Sequence, residues 1–145
     1  MLGNGTHGFL LDTRVTGDLT VTVRVSDGSG HSVQRQCTVT SRYPKFSAMV
    51  QTMSSAALYS DSPMTLIIRS TEYAGDYTVS YTTTSTNCRV SYGGSMLRPD
   101  SPVTLEAGQH IFTANSSYAE RTEFIFTITD IYGQSQQAQA SITWR

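Results

Sequence analysis

Apolar and polar residues alternate along most of this chain with a period of two. Val21, Val23 and Val25 are separated by Thr22 and Arg24; Phe46, Ala48 and Val50 repeat the pattern. Met64, Leu66 and Ile68 form a further row, introduced by Ser62-Pro63. Tyr77, Val79 and Tyr81 then alternate with Thr78 and Ser80, and Cys88, Val90 and Tyr92 run up to Gly93-Gly94. A short apolar stretch at Val103–Leu105 precedes three more segments at 110–115, 122–129 and 134–143. A period of two puts every second side chain on one face of a pleated strand. No stretch of ten residues carries a helical period. Gly, Asp, Asn and Pro stand between the segments, where turns need a positive or fixed φ. Seven or so short strands at this spacing in residues 44–145 predict an all-β, immunoglobulin-like antiparallel β-sandwich of two sheets.

Sliding the chain over itself reveals a repeat at an offset of 103 residues. Gly5, His7 and Phe9 align with Gly108, His110 and Phe112 as a G-x-H-x-F skeleton. Without a gap, Asp27, Gly30, Ser32 and Gln34 then align with Asp130, Gly133, Ser135 and Gln137 as D-x-x-G-x-S-x-Q. Val21, Val23 and Val25 coincide with Phe124, Phe126 and Ile128, and Cys37 and Val39 with Ala140 and Ile142. Whole faces match, which scattered identities would not give. Residues 1–43 therefore read as the C-terminal strands of a preceding repeat, with 5–42 holding its last three strands. Residues 44–145 read as a complete unit, so the predicted organisation is a tandem repeat with an incomplete first copy. About 43 residues are near the lower limit for a core that folds alone. The apolar face of Leu19, Val21, Val23, Val25 and Val39 is expected to find cover on the complete unit or on another chain.

Composition strengthens the β reading. About 40 residues are Ser or Thr, and the only lysine is Lys45. Charged residues make up 14% and the net charge is −1, which leaves no electrostatic footprint for nucleic acid or an anionic membrane. No run approaches the roughly 18 apolar residues of a spanning helix. Met1 is followed by Leu2-Gly3-Asn4-Gly5, with neither a basic nor an apolar leader region; if the native protein is exported, its targeting segment is expected upstream.

Candidate chemistry is sparse. His7 and His110 occupy equivalent repeat positions, and with His31 they lack neighbours at metal-ligand spacing; structural or solvent-exposed roles are expected. Asp27 and Asp130 each offer one carboxylate, fewer than calcium needs, so each is expected to accept backbone N–H bonds in its turn. Cys37 shares a slot with Ala140 and is expected to be a buried, inert thiol, as is Cys88; their pairing is left open. Alternation puts Tyr77, Tyr81 and Tyr92 on the core side. Tyr59, Tyr73 and Tyr118 fall in loops, which makes them the candidates for recognition. No catalytic signature or cofactor motif is found, and no catalytic or metal-binding residue is predicted. Asn4-Gly5-Thr6 and Asn115-Ser116-Ser117 match the glycosylation acceptor pattern.

One family shares these features. Tyr77-Thr78-Val79-Ser80-Tyr81, Val90-Ser91-Tyr92-Gly93-Gly94 and Leu97-Arg98-Pro99-Asp100 are followed by the stretch from Gly108 to Ser116. The strand Phe124–Thr129 then leads into Asp130-Ile131-Tyr132-Gly133-Gln134. Over roughly 46–145 the chain resembles the TraQ-like proteins of Bacteroidetes conjugative transposons, small lipoproteins with an immunoglobulin-like sandwich. Their closing strand pair carries a D-x-[FY]-G-Q turn like Asp130–Gln134. In the first copy that turn departs to Asp27-Gly28-Ser29-Gly30-His31. The ending is also similar to PKD-type modules of surface proteins. The resemblance implies an extracytoplasmic, cell-envelope location and a role in surface contact, and it supplies no catalytic residues.

The expected function is thus a non-catalytic envelope or surface module acting in protein–protein contact or as a spacer, linked through the resemblance to conjugative transfer. The alternative is a carbohydrate-binding module that uses the loop tyrosines. A protein partner is expected, with a homo-dimer through residues 1–43 as one form of it. Thr-rich stretches such as Thr82-Thr83-Thr84 could act as pairing edges.

Overall fold

Most strands sit where alternation places them, and the chain divides into two units, Met1–Tyr43 and Pro44–Arg145. The computed structural model describes residues 1–13 and 15–145. Every regular element among them is a strand, and no helix is long and apolar enough to cross a membrane.

The first unit is a hairpin of β1 (Gly17–Ser26) and β2 (Ser32–Ser41), paired antiparallel as a two-stranded sheet. The third strand expected near residues 5–9 is absent. Its repeat equivalent in the second unit pairs with strands on both sides, and the first unit holds no counterparts of those partners. Without a ladder to join, the segment keeps only its local turn: His7 Nε2 donates to the Gly3 carbonyl at 2.7 Å.

The second unit is a sandwich. Its first sheet orders β3 (Ser47–Thr52), β5 (Ser62–Arg69), β10 (Gly108–Ser116), β7 (Cys88–Tyr92) and β8 (Ser95–Leu97). The second sheet orders β4 (Ser55–Ala56), β12 (Ser135–Trp144), β11 (Arg121–Thr129), β6 (Tyr77–Thr83) and β9 (Val103–Leu105). All pairings are antiparallel except β4 with β12, where the chain crosses from one sheet to the other. The two-residue β4 and the three-residue β8 carry too little alternation to be read from sequence. β11 lines one side of β6, pairing with Thr82 and Thr83, and β9 covers only Tyr77–Val79 on the other. Thr84 likewise bonds through its N–H to the Glu123 carbonyl.

Between the sheets lie Met64, Leu66 and Ile68, then Val79 and Val90, with Phe112, Phe124, Phe126, Ile128, Ile142 and Trp144, all essentially inaccessible. Phe112 and Phe126 meet edge to face across the gap, with centroids 5.1 Å apart. Burying each such side chain stabilises the fold by about 1.5–3 kcal/mol.

The repeat extends to hydrogen-bond register. Asp18 pairs with Thr40 and Val25 with Val33; 103 residues on, Arg121 pairs with Thr143 and Ile128 with Gln136. The strand face that carries Thr122, Phe124, Phe126, Ile128, Ala138 and Ile142 into the second core corresponds to Leu19, Val21, Val23, Val25, Arg35 and Val39 in the hairpin. The hairpin has no second sheet within its own unit. Val23, Val25, Val33 and Val39 are accordingly exposed.

Candidate functional site

Both D-x-x-G turns are built alike. Asp27 Oδ1 accepts the N–H groups of Ser29 and His31, each at 2.9 Å, and Asp130 Oδ1 accepts those of Tyr132 and Gln134 at 2.9 and 2.8 Å. The fourth residue on closes the loop with its side chain. His31 Nδ1 lies 3.0 Å from Asp27 Oδ2, and Gln134 Nε2 donates to Asp130 Oδ2 at 2.7 Å. Gly30 and Gly133 adopt φ of 89° and 83°, which a side chain would resist. The backbone and side-chain bonds from His31 hold the Asp27 carboxyl below its ordinary value. Each carboxylate is thus consumed by its own turn. Among the described residues no group of three or more His, Cys, Asp or Glu gathers to hold a metal.

His110 has a structural setting. Its Nε2 donates to the Glu106 carbonyl at 2.8 Å, which leaves Nδ1 to accept the Tyr92 hydroxyl at 3.0 Å. The Nε2 bond to the residue four back is the one His7 makes to Gly3.

The two thiols differ. Cys88 is buried, and that burial pushes it up to about 11, so it is inert at neutral pH. Cys37, expected to be buried, is exposed. Its slot matches that of half-buried Ala140, but the hairpin supplies no opposing sheet to close it. Both are free thiols.

The three loop tyrosines separate to opposite ends of the sandwich. Tyr73 lies in the β5–β6 connection beside the β11–β12 turn, its ring 5.7 Å from that of Tyr77 and 6.0 Å from that of Tyr132. A Cβ on Gly75 would run into the end of the Tyr73 ring, so a side chain there would have to displace it. Tyr73 is a packing residue in this arrangement. Tyr59 and Tyr118 come together at the other end through Ser116. The Tyr59 N–H donates to the Ser116 carbonyl at 2.9 Å, and the Tyr118 N–H to its Oγ at 3.2 Å. Both side chains are exposed, at 74% and 63%. Tyr59 holds φ at 58°, a left-handed conformation that costs a bulky residue about 1–2 kcal/mol.

Next to Ser116, Asn115 Nδ2 donates to Asp61 Oδ1 at 2.9 Å. These two open a hollow of about 270 Å³ on the outer face of the first sheet, lined also by Arg89, Ser91, Thr113 and Met96. Asn115 stands opposite Arg89 and Thr113 opposite Ser91 on adjacent strands, pointing away from buried Ala114 and Val90. Sequence reading missed Asp61 and Arg89. They are single polar residues spread along the chain, and only the β5–β10–β7 order brings them near Asn115.

No protein-family model matches the sequence, and no curated protein matches it. Solved structures do. The chain is similar to a conjugative transposon lipoprotein from Bacteroides eggerthii, known from a crystal structure, with a TM-score of 0.61 and 15% identity over 70% of this chain and 98% of that one. It is also similar to a lipoprotein from Bacteroides thetaiotaomicron, solved by solution NMR. There the TM-score is 0.59 and the identity 16%, over 72% of this chain and 83% of that one. The likeness is one of fold. It agrees with the sandwich topology described above.

Proposed function

We propose that this chain belongs to a non-catalytic cell-envelope protein in which the sandwich acts as a spacer and protein-contact module. One observation carries the reading: residues 44–145 receive the chain at one end of the sandwich and release it at the other. At the start, the Pro44 carbonyl accepts Gln134 Nε2 at 3.0 Å beside the β11–β12 turn. At the finish, the Arg145 carbonyl accepts the Leu58 N–H at 3.3 Å near Ser116 and the two exposed tyrosines. A ten-residue strand, β12, spans the distance, about 33 Å at the usual rise. Such an entry and exit suit repetition along one chain, and the 103-residue repeat with its shared strand register supports a repeated module.

The fold neighbours are named as lipoproteins of Bacteroides, one of them from a conjugative transposon, which supports an extracytoplasmic place and a link to conjugative transfer. Membership of the TraQ-like family is the finer form of this reading. Residues 1–43 are, in the same reading, the closing strands of a repeat. Their apolar face takes a protein partner: the earlier strands of that repeat, or a second copy of the chain.

The test is to shave intact Bacteroides cells that express the native gene with a protease and to fractionate their membranes. Surface-sensitive, membrane-associated protein is expected, and a protected cytosolic protein sinks the proposal. Deleting the gene is expected to lower transposon transfer, and unchanged transfer frequency removes the conjugative part.

A further inference from the structure

We propose that the hollow bounded by Asp61, Arg89 and Asn115, together with Tyr59 and Tyr118, binds a neutral pyranose chain. The hollow combines two kinds of group that sugar recognition needs. A carboxylate, a guanidinium and a carboxamide are planar groups that make paired hydrogen bonds, and adjacent hydroxyls of a pyranose present matching pairs. Ser91 and Thr113 add hydroxyls from the strands between. Asp61 and Arg89 offset one another in charge, which favours an uncharged ligand over an anion or a cation.

The aromatic component is near it along the chain, with Tyr59 two residues before Asp61 and Tyr118 three after Asn115. Tyr59 and Tyr118 both hang on Ser116, the residue after Asn115. Exposed tyrosine faces accept the C–H face of a sugar ring, and a polar tip remains free to bond. Tyr59 supports this from a second direction. A glycine would adopt φ of 58° without strain, yet the position holds a large aromatic side chain that buries little of its surface. Backbone strain that contributes nothing to packing points to a role in binding. At about 270 Å³ the hollow is slightly smaller than the roughly 300–1,000 Å³ typical of small-molecule sites. It therefore suits one ring of a chain, with neighbouring rings passing over the tyrosines.

The experiment titrates the whole chain with glucan, mannan and xylan hexasaccharides and with a chitin tetrasaccharide, followed by amide correlation spectra. At least one sugar is expected to give saturable shifts in the millimolar range, confined to Tyr59, Asp61, Arg89, Ser91, Thr113, Asn115 and the 116–118 segment. Tyr118→Ala and Arg89→Ala are each expected to weaken that affinity about tenfold, roughly 1.4 kcal/mol, while keeping the spectral dispersion of the folded chain. Absence of saturable shifts with all four sugars overturns the proposal. So do shifts that cluster elsewhere, or that survive both substitutions unchanged.

Discussion

At the scale of single residues, local strain and burial make opposite predictions for neighbouring parts of the sandwich. Tyr59→Gly is expected to raise stability by about 1 kcal/mol in urea melts, since the glycine adopts the left-handed turn at little cost. The same change is expected to lower sugar affinity, which separates strain relief from binding. The thiols give a second test. Cys37 is expected to react with a maleimide in the native chain, and Cys88 only after unfolding. Because the folded Cys88 stays neutral up to about 11, the fold keeps this contribution below the ordinary thiol value. It loses it as pH climbs toward 11. Which residues are recognition candidates was only partly legible in the sequence. Loop position singled out Tyr59 and Tyr118, but the same rule selected Tyr73, whose ring is held by Gly75, Tyr77 and Tyr132. Loop position says nothing of what lies on the other side of a ring.

At the scale of elements, the two hairpins share a register and differ in what they bury. Phe124→Ala is expected to cost the sandwich about 3–5 kcal/mol, read by the fluorescence of Trp144, the only tryptophan. Val21→Ala, its repeat equivalent, is expected to move that transition by less than about 0.5 kcal/mol. The turns separate as well. Asp27 is held low by the bonds from His31, so its ordering of the first turn is complete above the ordinary carboxylate value and is lost as pH falls through the lowered one. Amide shifts of Ser29 and His31 report that loss. Strand positions and inward rows were legible because alternation is set by which face is covered. Exposure was not, since it depends on a partner sheet that a strand's own sequence does not describe. Cys37 is the plain case: its slot matches that of Ala140 in register, and nothing in its own unit fills the space opposite it.

At the scale of the molecule, the hairpin face decides how copies associate. If a second copy covers it, the chain sediments as a dimer at tens of micromolar, and the double change Val21→Asp with Val39→Asp returns it to a monomer. A monomer at every concentration leaves the earlier strands of a repeat as the cover. The crossover at β4 has a further, mechanical consequence. Tension applied between Pro44 and Arg145 runs along the length of the sandwich and meets the parallel β4–β12 contact in shear. The Thr143 and Arg145 N–H groups, bonded to the Ser54 and Ala56 carbonyls, are then stretched together, not one after another as in peeling a hairpin. A strand of two residues thereby becomes part of the clamp that resists the pull.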